Sequence, residues 1–221
     1  MSFRATLLRR RHLALGLLVL VTAPTAFGQA LNAPIAFANQ DAITTSFVQA
    51  PNLAGTAGAA AGGNTQWLKV EFHYGATAAI KTPFLDSIQF KIWIEGFDPL
   101  AKNAAGTKGV SVALTGDVTY VNVSANHDLY GVFYVHPDTL VRFSDERGYE
   151  QFERKYDIHI EAYVGGGLVD EINKNKEQDP LGWFKPLTAL SGFVYRQNQT
   201  PFIIADPDRY PAIKLPASAA Q

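Results

Sequence analysis

From Trp67 onward the chain alternates between apolar and polar side chains with a period of two, placing Leu68, Val70, Phe72 and Tyr74 on one side and Lys69, Glu71 and His73 on the other. That period is the signature of a strand buried on one face. It returns at Ile88, Phe90, Ile92 and Ile94, against Gln89, Lys91, Trp93 and Glu95. It returns again at Tyr156, Ile158, Ile160, Ala162 and Val164, against Asp157, His159, Glu161 and Tyr163. Shorter apolar runs predict further strands at Val110–Leu114, Val118–Val123, Leu129–Val135, Gly192–Tyr195 and Phe202–Ile204, with turns at Gly116-Asp117 and from Ser124 to Asp128. Helix is sparse. Pro137 at a first helical position predicts a single turn reaching Phe143, and Ser144 caps a second short piece carrying Tyr149 and Phe152.

Seven or eight short strands with little helix predict an all-β fold. The expected form is an immunoglobulin-like antiparallel β-sandwich with one or two short helices, with an OB-like five-stranded barrel as the alternative. The Gly-, Pro- and Asn-rich stretches Gly165–Gly167, Asn173–Pro186 and Asp206–Pro211 read as loops. Binding most often resides on loops of this kind.

The first residues follow a different pattern. Arg4, Arg9, Arg10 and Arg11 precede an apolar run from Leu13 to Val21, and small residues follow at Ala26 and Gly28. The run is roughly half the length of about 20 residues that a membrane helix needs, so residues 1–28 read as a cleaved signal peptide. The expected localisation is the periplasm or surface of a Gram-negative-type bacterium. Neither a lipoprotein nor an ordinary type IV prepilin fits: the chain has no cysteine to acylate, and no acidic residue precedes Asp41. Residues 29–65, rich in Ala, Gly, Asn and Thr, read as a flexible arm or linker in which Phe37, Phe47 and Val48 are the candidate contacts. The sandwich is expected over residues 66–211 and a tail over 212–221.

Removing the signal takes four arginines from 19 basic residues and leaves 15 against 20 acidic ones, a formal net charge of −5. A mildly acidic chain disfavours nucleic acid and, once the signal is cut, an anionic membrane. Without disulfides, stability rests on a hydrophobic core, for which roughly 145 residues suffice.

Candidate chemistry is thin. Gly109-Val110-Ser111-Val112-Ala113 falls one residue short of the hydrolase elbow and lies in a β-run with no helix after it, so no catalytic serine is assigned. His73 and His159 occupy outward strand positions, His127 and His136 lie beside turns, and none shows metal-ligand spacing such as H-x-x-x-H; solvent-facing histidines are expected, with no metal and no cofactor. Asp206-Pro207-Asp208 has too few oxygen ligands for a calcium loop and reads as a turn. Glu71, Glu95 and Glu161 are explained by cross-strand pairing with Lys69 and Lys91. These readings predict a protein that is not an enzyme. What stands out is Trp67, Trp93 and Tyr163, on the polar side of the three best strands, where clustered rings would form a patch for a partner chain or the face of a sugar.

The blocks WLKVEFHY from Trp67, TPFLDSIQFKIWIEG from Thr82, VFYVHPDTLVRF from Val132 and DPDRYPAI from Asp206 resemble a family of exported, pilus-like proteins encoded with type IV pilus genes in verrucomicrobial bacteria. The resemblance implies a non-enzymatic component of a pilus-like assembly on a β-sandwich. Its partners would be pilus-assembly or surface proteins, or further copies of itself, engaged through a sheet edge or the arm before Trp67. A carbohydrate-binding or adhesive module is the alternative.

Overall fold

The computed structural model describes residues 34–38, 42–51, 66–76, 83–125, 128–144, 157–175 and 182–215. All of them fall in one unit, residues 31–221. In chain order the elements are β1 (Ile35–Phe37), β2 (Ile43–Gln49), β3 (Gln66–Ala76), β4 (Phe84–Lys102), β5 (Lys108–Ser124), β6 (Asp128–Val135), α1 (Pro137–Arg142), β7 (Ile158–Val164), β8 (Gly167–Lys174), β9 (Thr188–Ser191), β10 (Val194–Arg196) and β11 (Ala212–Ile213). Two 3₁₀ turns, Gln197–Gln199 and Pro201–Ile204, lie between β10 and β11. The expected signal peptide, the glycine-rich stretch 52–65, His127 and the second short helix with Tyr149 and Phe152 lie outside the described residues.

The strands form two sheets of a sandwich. The first runs β1–β3–β6–β10, with β2 also pairing β3; the second runs β11–β5–β4–β7–β8, with β9 pairing β5. The sheets share no strand, so the barrel alternative is set aside. Antiparallel register places Leu68 opposite Val135, Val70 opposite Phe133 and Phe72 opposite Gly131 in the first sheet. In the second, Phe90 lies between Val118 and Ala162, and Ile92 between Gly116 and Ile160. These inward residues meet between the sheets, where Phe90 touches Phe72 at 4.7 Å and Tyr74 at 4.8 Å between ring centroids. All three rings are fully buried, and each contributes roughly 1.5–3 kcal/mol of hydrophobic stabilisation. Gly131 gives Phe72 its space: a Cβ there would lie 2.0 Å from the ring's Cζ.

The expected helical turn forms. Pro137 begins α1, and His136 caps it by accepting the Asp138 N–H at Nδ1, 3.1 Å away. Other expectations are corrected. Gly116-Asp117 is not a turn; it lies within the 17-residue strand β5, opposite Ile92 and Lys91. The glycine is required there by close approach, since a Cβ would come within 2.9 Å of the Val194 carbonyl oxygen. Phe202–Ile204 is a 3₁₀ turn because Pro201 removes a ladder donor and Thr200 caps the Phe202 N–H at 3.2 Å.

Part of the expected flexible arm is sheet. Ile35–Phe37 pairs with Tyr74–Ala76, and Ile43–Gln49 pairs with Gln66–Phe72, so both segments lie along one edge of β3. Ala212 and Ile213, expected in a tail, pair with Val121 and Tyr120. Gly167–Lys174 is a strand closed onto β7 by a two-residue turn in which Gly165 and Gly166 have φ of 59° and 84°. Two consecutive positive φ values are the geometry of a type I′ hairpin, which glycine adopts without steric cost.

Candidate functional site

The outer face of the second sheet carries its polar rows in register. Trp93 of β4 lies beside His159 of β7, which lies beside Asn173 of β8; one row along, Lys91, Glu161 and Glu171 stand in the same order. The residues between them point into the core, so alternation alone gathers these side chains on one surface.

His159 was expected to face solvent, and here the expectation fails. Its side chain is 0% exposed. The segment after β8 brings Phe184 over the sheet, held by turns in which Lys185 donates to Gly182 at 3.0 Å and Leu187 to Phe184 at 3.0 Å. The Phe184 ring stacks on the imidazole with centroids 4.4 Å apart and also meets Trp93 at 4.4 Å. Beneath this cover His159 Nδ1 lies 2.5 Å from Asn173 Oδ1. Its Nε2 has no hydrogen-bond partner and lies 3.5 Å from Glu161 Oε1 and 3.5 Å from Glu171 Oε2. Glu161 is buried, and its second oxygen accepts a hydrogen bond from the Tyr163 hydroxyl. Desolvation, reinforced by the hydrogen bond to Glu161, pushes the Tyr163 phenol up to about 12. Lys91, expected to pair with Glu161, carries its ammonium over the Tyr163 ring, 4.4 Å from the centroid.

Next to this cluster is a groove of about 580 Å³. Trp93, Gln89, Lys91, Asp117, Tyr195 and Arg196 help to line it, with Arg196 and Asp117 paired at 3.4 Å.

The three rings singled out in the sequence do not form one patch. Trp93 and Tyr163 share the outer face of the second sheet, but Trp67 belongs to the first sheet and is 8% exposed. It is enclosed by His136 at 4.6 Å, Phe202 at 5.8 Å and Tyr195 at 6.0 Å between centroids. Phe37 also packs inward, 6.2 Å from Phe72 and 6.1 Å from Phe90, and Phe47 and Val48 are partly buried against the same core.

The remaining candidates resolve as structure. Ser111 lies inside β5, paired with Phe97 of β4, with no elbow. His73 stacks on Tyr130 at 4.8 Å, and Asp206 accepts the Arg209 N–H in a turn at 3.1 Å. Glu71 pairs with Lys69 at 3.0 Å within β3 and not across strands as expected, and it also holds Arg209 and Tyr210. Sequence reasoning missed Phe184, Glu171 and Asn173. The signals present were the alternation His159-x-Glu161 and its mirror Glu171-x-Asn173, flanking a glycine turn.

No curated protein matches this chain. A crystal structure of a protein from Akkermansia muciniphila, a verrucomicrobial bacterium, is similar at a TM-score of 0.65 and 19% identity, over 82% of this chain and 93% of that one, a likeness of fold. A protein-family model matches residues 33–217, so both sheets and the face just described fall within the match. The chain therefore belongs to the family that this model describes, over nearly its whole folded extent.

Proposed function

We propose that this protein is a non-enzymatic, exported component of a type IV pilus-like surface assembly, and that it engages a protein partner by strand addition along β2. The observation that carries the reading is the character of that edge. Strand β2 has the sequence ITTSFVQ, seven residues without a charge or a proline, and among the described residues β3 is the one strand that pairs with it. Edge strands are ordinarily guarded by lysine, proline or a bulge, because an open ladder is a template for another chain. The Lys174 ammonium of β8 reaches the Thr45 hydroxyl, but the strand carries no guard of its own, and such an edge suits a partner whose main chain supplies hydrogen bonds while alternate side chains select it. The sequence blocks shared with pilus-like exported proteins support the assembly context.

The test places a photo-cross-linking residue at the exposed Thr44 in cells, followed by recovery of the protein and mass spectrometry of what is attached. Cross-links to pilus-assembly proteins, suppressed when Ser46→Lys is added to guard the edge, are the expected result. Cross-links that are indifferent to the lysine, or attachment to no such protein, would remove the reading.

A second reading, glycan binding, is favoured by one observation: Trp93 lines a groove with Gln89, Asp117 and Arg196, a ring beside polar groups able to bond hydroxyls. Under it, Trp93→Ala abolishes retention on the glycan while leaving the Thr44 cross-links in place.

A further inference from the structure

We propose that His159, Glu161 and Glu171 form a binding site for a divalent transition-metal ion, with zinc as the best fit, that fastens β7 to β8 beneath Phe184. The site is separate from the β2 edge and does not depend on it.

Three ligand atoms converge: His159 Nε2 lies 3.5 Å from Glu161 Oε1 and 3.5 Å from Glu171 Oε2, and all three atoms lie within 4.8 Å of one another. A proton shared directly between imidazole and carboxylate would draw nitrogen and oxygen to about 2.8 Å. Four ligands bound to zinc at about 2.1 Å stand about 3.4 Å apart along a tetrahedral edge. The two nitrogen–oxygen spacings match the edge and not the hydrogen bond. The buried Nε2 is accordingly left without a hydrogen-bond partner, aimed between two carboxylates.

The surroundings orient each donor. Asn173 Oδ1 can only accept, so Nδ1 of His159 carries the hydrogen and Nε2 of the neutral ring keeps its lone pair. The Tyr163 hydroxyl occupies Oε2 of Glu161 and leaves Oε1 for the ion. Outer partners of this kind fix ring and carboxylate orientation at metal sites. Phe184 and Trp93 cover the imidazole, excluding water from one side. The Glu171 side chain, 30% exposed, gives the entry path. One nitrogen and two oxygens suit zinc or a neighbouring first-row ion, and a fourth position stays open for water. The cation would balance two carboxylates that otherwise crowd one imidazole.

The experiment uses the full chain, stripped with chelator, loaded with Zn²⁺ and dialysed, with bound metal read by elemental analysis and the melting temperature followed against free zinc. Expected are one retained zinc per chain and a melting temperature that rises with zinc, because the ion binds the folded state. Glu171→Gln, at a partly exposed position, should retain the fold by circular dichroism and lose the zinc. Tyr163→Phe, which removes no ligand, should weaken binding by about tenfold. Co²⁺ in place of zinc should give the intense visible absorption of a tetrahedral site. Failure of the wild-type chain to retain zinc, or equal retention by Glu171→Gln, would overturn the proposal.

Discussion

Arg209 grips Glu71 with two hydrogen bonds, Nε to Oε2 at 2.9 Å and Nη2 to Oε1 at 2.6 Å, although 138 positions separate the two residues. The Tyr210 hydroxyl donates to the same carboxylate at 2.5 Å, and Lys69 lies 3.0 Å from it. Two donors from near the end of the chain and one from β3 itself thus meet on one side chain of β3. The clamp draws residues 197–210 across the outer face of the first sheet, where Arg209 also lies over the Tyr130 ring at 4.2 Å.

Acid should loosen this clamp within a defined window. Desolvation raises the Glu71 pKa, but hydrogen bonds from Arg209, Tyr210 and Lys69 outweigh it and lower the value from 4.5 to about 2. A carboxyl depressed in the folded state contributes stability that is fully present above its unfolded pKa and is lost as pH falls through the folded one. Urea unfolding followed between about pH 5 and 2 should show a decline that Glu71→Gln flattens. At neutral pH Arg209→Ala should cost about 1–2 kcal/mol, the scale of a hydrogen bond to a charged group reduced by solvent screening of an arginine 42% exposed. A Glu71→Gln protein with the same acid slope as wild type would remove Glu71 as the source.

Gly131 should tolerate no side chain. An alanine Cβ would overlap the Phe72 ring at 2.0 Å, at the junction of the two sheets, and overpacking of this kind costs about 1–3 kcal/mol. Gly131→Ala is expected to lower the urea midpoint, and adding Phe72→Leu should recover part of the loss. If the two losses simply add, the contact is not the cause.

Phe202 should act as the lid on Trp67. Its ring stacks on Tyr134 with centroids 4.6 Å apart and planes 4° from parallel, and it is 5% exposed. Phe202→Ala should destabilise by about 3 kcal/mol or more, the usual scale for truncating a buried phenylalanine. In a background carrying Trp93→Phe and Trp183→Phe, the emission of Trp67 should shift to the red. An unchanged spectrum would mean that another element covers the indole.

His159 should resist chemical modification until its cover is removed. With the ring at 0% exposure under Phe184, carbethoxylation read residue by residue in mass spectra should spare His159 while reaching His136, whose side chain is 39% exposed. Phe184→Ala should open His159 to the reagent. Equal reactivity in both proteins would show that the cover is not what protects it.

The sequence by itself determined the local periods. The apolar set of β3, that of β4 and that of β7 each face the core as the alternation predicts, and Pro137 begins the helical turn it signals. Those features are local, because a period of two assigns each side chain to a face and a proline needs only its own turn. Only the tertiary structure decided which face meets what. Period alone placed Trp67, Trp93 and Tyr163 on equivalent polar sides, yet Trp67 lies in the other sheet beneath Phe202, which is 135 positions further along. The alternation assigns no strand to the central residues of β8 because Asp170 and Glu171 dilute it, and it places both ends of β8 in loops; pairing with β7 supplies the hydrogen bonds that its composition does not advertise. The burial of His159 depends on a turn some 25 residues away laying Phe184 over the sheet, a long-range contact that no local pattern encodes.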